Sequence, residues 1–146
     1  MLEFVIHSET PSKKNSRIFL KNGRNIPSKR YQEWHSKARI EIIAQAMEQS
    51  ETIIKNTKAI EPLNFAIPID TEIEISMSFY HSDNRRRDSD NGASSVLDLL
   101  QDCGIIADDK WQIVRDLHIH NYYDKNARCE ISIYQYKAAK ELNEGL

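Results

Sequence analysis

A chain of 146 residues with 40% hydrophobic and 29% charged side chains carries enough apolar mass for one packed core without disulfide or metal staples. No run approaches the ~18 apolar residues needed to cross a bilayer, and "MLEFVIHSETPSKKN" lacks the charged-then-apolar order of a secretory signal. Cys103 and Cys129 stand apart without Cys-x-x-Cys spacing, which fits small buried hydrophobes in a reducing cytosol and speaks against a zinc site.

In chain order, "LEFVIH" (2–7) is a short apolar run and reads as the first strand. "RIFL" and "NIP" flank the turn signal Asn22-Gly23, which predicts a loop and a small hairpin. Ser28 is a suitable N-cap for a helix through about Gln49. Tyr31, Trp34, Ala38, Ile42 and Ala46 recur at its core-facing period, so Tyr31 and Trp34 read as packing residues before base-stacking ones.

Residues 50 to 70 are less regular, with Pro62 and Pro68 breaking any helix. "TEIEISMSFY" (71–80) alternates cleanly and predicts a half-buried strand. A helix follows from about Asp90 to Cys103 on an Ala93, Val96, Leu97, Leu99, Leu100, Cys103 stripe, and Gly104 stands where a C-terminal glycine belongs. "WQIVRDLHIHNYY" and "ARCEISIYQY" read as a long two-stranded hairpin around "DKN", and "KAAKELNEGL" as a short helix or frayed end. The expectation is one α+β domain over residues 1–146: a mixed sheet of about four to five strands with two main helices packed on it.

The net charge of -2 conceals an asymmetry. Between Pro11 and Arg39 stand Lys13, Lys14, Arg17, Lys21, Arg24, Lys29, Arg30, Lys37 and Arg39 against Glu33 alone. Between Asp88 and Asp109 stand six aspartates and no base. Such a division suits a polyanion on one surface and a cation held at one point. Solvated charged faces would give the same counts.

The junction of the two signs is "RRRDSDN" (85–91). With Asp90 at the helix start, Asp90, Ser94 and Asp98 share a helical face away from the apolar stripe. Asp88 lies in the loop before it, and Asp108 and Asp109 lie in the approach to the next strand. Several carboxylates at one point suit a hard cation, Mg²⁺ or Mn²⁺. N-capping is the bland role for Asp90. A calcium loop is excluded because Gly92 falls where the next oxygen ligand should be. His118 and His120 alternate on one face of a strand, with no third metal ligand evident nearby, and read as exposed. Trp111 and Phe19 are aromatic residues beside the acidic pair and the basic loop.

The order "RRRDSDN", a helix ending in "GI", then "ADDKWQIV", together with "PSKKNSRIF" and "PSKRYQEW", resembles the RusA family of Holliday junction resolvases. The resemblance implies a homodimeric crossover junction endodeoxyribonuclease of a bacterial or phage cytoplasm. It would use Mg²⁺ or Mn²⁺ to hydrolyse paired phosphodiester bonds of four-way DNA, with neither a membrane nor a small-molecule cofactor. By position it implies Asp88, Asp90 and Asp109 as catalytic metal ligands, with Asp108 as a neighbouring catalytic acid. Arg87 matches the arginine beside the first aspartate, and Asp98 the acid in mid-helix. Lys13, Lys14, Arg17, Arg85, Arg86, Arg87 and Lys110 are the expected DNA contacts. One departure stands out: the family pattern has a lysine four residues after the second aspartate, where this chain has Ser94. That departure motivates a competing reading, a catalytically impaired junction-binding protein. A phosphohydrolase of small nucleotides is a third, disfavoured by the long basic loop.

Overall fold

Ile73, Ile75, Met77 and Phe79 are buried while their sequence neighbours are half-exposed, so the alternating stretch forms a strand that buries one face. The computed structural model describes residues 1–13, 17–55 and 66–138. Within them the order is β1 (Leu2–Ile6), β2 (Arg17–Phe19), β3 (Asn25–Pro27), α1 (Lys29–Lys55), β4 (Ile73–His81), α2 (Asn91–Asp102), β5 (Val114–Tyr123) and β6 (Arg128–Gln135). The expectations for Lys14, for the stretch around Pro62 and for the chain end after residue 138 lie outside the described residues.

Four strands form a mixed sheet in the order β1-β6-β4-β5, and β2 and β3 form a separate small hairpin. The α+β expectation holds. The hairpin expected of β5 and β6 does not. These strands flank β4, with β5 parallel to it and β6 antiparallel, and their connection crosses the end of β4, where the Asp124 amide donates to the His81 carbonyl (2.9 Å). The physical reason is burial. Phe4, Ile131 and Met77 are in register across β1, β6 and β4, as are Leu2, Ile133 and Ile75, and all six are buried. β5 is largely exposed and suits an edge.

Ser28 starts α1 as expected, its Oγ accepting the Tyr31 amide (3.2 Å), and the helix runs to Lys55 instead of ending near Gln49. Tyr31, Trp34, Ala38 and Ile42 are all buried, which makes them packing residues. Farther along α1, the Gln45 carboxamide accepts the Val5 amide (2.7 Å) and donates to the Val5 carbonyl (2.8 Å). Gln49 makes the same pair of bonds with Glu3. The two side chains cover the open edge of β1, which would otherwise present unpaired backbone groups.

α2 buries Ala93, Val96, Leu99 and Leu100 and ends at Gly104, whose φ of +72° is the left-handed conformation glycine tolerates. Its buried Ser95 donates to the Pro11 carbonyl (2.7 Å) and accepts the Lys13 amide (3.2 Å), fixing the basic N-terminal loop against the helix that carries the acidic residues.

Candidate nuclease site

The loop from β4 to α2 holds the arginine run, and its ion pairs are selective. Arg87 bonds Glu9 (Nε, 2.8 Å) and Asp83 (Nη2, 2.8 Å), and Arg85 bonds Asp83 (3.2 Å). Glu9 also takes His81 at 2.6 Å, whose other ring nitrogen lies 2.8 Å from Asn121 Oδ1. Asp83 is held below the usual carboxylate range by the Arg85 amide first and the Arg87 guanidinium next. The arginines therefore answer to Asp83 and Glu9. Among the described residues, Asp88 and Asp90 take part in no ion pair, and neither does the exposed Arg86.

Asp90 stands at the N-cap of α2 without making a capping bond, so the bland role for its carboxylate is not taken up. Among the described residues the Asp88 carboxylate accepts a single long bond, from the Asn91 side chain (3.4 Å), and both aspartates are exposed. Beside them a cleft is lined by Ser12, Arg30, Arg86, Asp88, Asn91 and Gly92. Gly92 is needed there: a Cβ would come within 2.9 Å of Phe79 Cε1, so its absence lets α2 and Asp88 sit close on β4.

A second acidic group lies along the same helix. Asp98 accepts Lys13 Nζ (3.2 Å), and the Lys13 ammonium also lies 5.7 Å from the Tyr31 ring centre. The Asp109 carboxyl is raised above its ordinary range, first by desolvation, then by a hydrogen bond and repulsion from Asp108, then by Asp98. Asp98, Asp108 and Asp109 thus share one electrostatic neighbourhood. Lys110 and Trp111 next to it are exposed, with the Arg115 guanidinium 5.7 Å from the Trp111 ring.

Asp88, Asp90 and Asp109 do not close into one tight ligand set. Among the described residues, the group with ligand atoms all within 4.8 Å is Glu74, Asp116 and His118, on the sheet face away from the helices. His118 is exposed as expected, yet Glu74 bonds it at 2.9 Å across the strand pair. That partner was hidden by its distance along the chain. Sequence reasoning likewise missed Glu9, His81 and Asp83. Glu9 and Arg87 meet only because β1 and β4 share the sheet, and nothing in their local patterns signals it.

An acid-rich helix start next to a cation-lined cleft, on a mixed sheet with two helices packed on it, suits a protein that works on a polyanion. The family model described as Endodeoxyribonuclease RusA matches residues 9–134, most of the chain. This chain belongs to the RusA endodeoxyribonuclease family. No curated protein matches it. No helix among the described residues is long and apolar enough to cross a membrane.

Proposed function

We propose that this protein is a metal-dependent endonuclease that recognises four-way DNA and cuts it as a homodimer in recombination and repair. The observation that carries this reading is the selective pairing of the arginine run. Glu9 and Asp83 neutralise Arg87 and Arg85, leaving Asp88 and Asp90 as unpaired carboxylates beside a cationic cleft.

Mg²⁺ or Mn²⁺ suits the carboxylate chemistry of these residues, which stand apart in the structure and would be drawn together by the ion. Asp90 is uncommitted at the helix start, Asp88 is nearly so, and Asp109, raised first by desolvation and then by Asp108 and Asp98, carries a disfavoured charge that a divalent ion would relieve. Asp88, Asp90 and Asp109 would hold the ion, which supplies charge stabilisation at the phosphoryl group and an acidified water. Asp108, next to Asp109 and accepting the Lys110 amide (3.3 Å), is suited to orient that water. Arg86 and Arg30 line the cleft with charge for the DNA backbone, and Arg85 adds a further guanidinium. Arg87, tied to two carboxylates, positions the loop more than it binds phosphate. Such contacts locate a backbone without reading sequence, as a shape-selective nuclease requires.

Ser94 favours the competing reading, a junction binder with weak or no cleavage, because a hydroxyl supplies no positive charge. Lys13, held at 3.2 Å by Asp98, brings an ammonium to that helical face. A nicking assay on four-way DNA with Mg²⁺ or Mn²⁺ decides. Nicks that fall at least about 100-fold in Asp88→Asn support the nuclease. Tight junction binding with no metal-dependent nicks supports the impaired binder. As a readout independent of cleavage, Mn²⁺ should raise the Tm of the native protein more than that of Asp88→Asn.

A further inference from the structure

The β2–β3 hairpin is absorbed by neither the core nor the acidic site. Among the described residues its strands pair only with each other, and its turn is closed by Leu20 N–H to Arg24 C=O (2.8 Å) and Gly23 N–H to Leu20 C=O (3.1 Å), with Gly23 at φ +81°. Ile18 (40%), Phe19 (80%) and Leu20 (41%) are all exposed, three consecutive large apolar residues in contact with water. Single exposed hydrophobes need no explanation, whereas a contiguous group on a projecting ribbon marks a surface for something else.

The charge around it restricts what that is. From Arg17 to Gln32 the basic residues are Arg17, Lys21, Arg24, Lys29 and Arg30, and no acid occurs. An arm of one sign is repelled by a second copy of itself and attracted by a polyanion. Strand alternation sharpens the point. Arg17 and Phe19 lie on one side of the ribbon opposite Pro27 and Asn25, and Arg17 Nη1 donates to Asn25 Oδ1 (2.8 Å). A guanidinium and a free aromatic ring are thus presented side by side, the combination that takes a phosphate and an unstacked base together. The root of the arm lies near α2: Arg17, Asp98 and Asp102 all act electrostatically on the Tyr31 phenol.

We infer that this hairpin is a branch-sensing arm: Phe19 stacks on an unpaired base at the centre of branched DNA while Arg17, Lys21 and Arg24 hold the adjoining phosphates. The inference rests on the proposed action on four-way DNA and deepens it, because it supplies the group that tells a branch from a continuous duplex.

The test compares equilibrium binding of a four-way junction and a linear duplex of matched sequence, at one salt concentration and without divalent metal, for the native chain, Phe19→Ala and Phe19→Trp. Phe19→Ala should lose about tenfold on the junction and stay within about twofold on the duplex, and Phe19→Trp should retain junction binding. A 2-aminopurine placed at the branch point should change its fluorescence with the native chain and not with Phe19→Ala. Losses equal on both DNAs, or no loss on either, overturn the arm. A change in oligomeric state in Phe19→Ala, read by light scattering, also overturns it and gives the residue to a protomer contact. A native chain with no preference for the junction overturns the reading beneath the arm as well; a preference that survives Phe19→Ala overturns the arm alone.

Discussion

Arg87 and Asp109 represent the two kinds of charge in this protein. Arg87 has its charge satisfied twice, by Glu9 and Asp83, in a partly buried position. Removing one partner of such a pair leaves the other desolvated and uncompensated, so the cost exceeds that of an exposed pair. Arg87→Ala should lower stability by about 2 kcal/mol, seen as a lower denaturation midpoint, and loosen the loop carrying Asp88. Asp109 is the reverse case, with its charge disfavoured by desolvation and by its acidic neighbours. Its folded pKa lies above the unfolded one, so the stability it contributes is full below the ordinary carboxylate range. That contribution is lost as pH rises through the raised value. Asp109→Asn should therefore be at least as stable as the native chain at pH 7, read as an equal or higher Tm, and lose any such advantage in acid. The same variant should fail to cut, separating stability from activity in one side chain.

Elements were legible where one periodicity dominated. β4 and both helices followed from alternation and a 3.6-residue stripe, and Ser28 and Gly104 marked helix ends through their own local chemistry. The β5–β6 pairing departs from the sequence reading because a short connection around "DKN" ordinarily closes a hairpin, whereas here the chain steps across β4. Only the matching of buried rows on β1, β6 and β4 dictates that order, and a row of contacts between distant segments has no local signature. The site divides in the same way. The acids and arginines were visible as residue types, while their partners Glu9 and Asp83 emerged from the fold. Gly92 gives an element-scale test. An added Cβ gains helix propensity of about 1 kcal/mol and meets Phe79 at 2.9 Å, a clash of about 1–3 kcal/mol. Gly92→Ala should come out destabilised by about 1 kcal/mol, and Phe79→Leu should recover part of the loss in a double-mutant cycle.

Across the whole molecule, helices cover one face of the sheet, and the two thiols report on the integrity of that layer. Cys129 is fully buried, and its thiol is pushed far above its usual range by desolvation; Cys103 is pushed up to about 11, again by burial first. Both should react slowly with a thiol reagent at pH 8 and rapidly once unfolded, and Cys103, being partly exposed, should respond first to local opening.

β6 has a consequence for timing. It is the last strand among the described residues, yet it seats the first, since within them β1 pairs with β6 alone. Glu9 follows β1 and steadies Arg87 on the far side of the sheet. While the chain is still being synthesised, β1 has no sheet partner until β6 has emerged, and until then Glu9 has no fixed place from which to order the arginine loop. The segment that carries none of the proposed site residues thus sets when the arginine loop is ordered, and the surface proposed for DNA is complete only once β6 has docked.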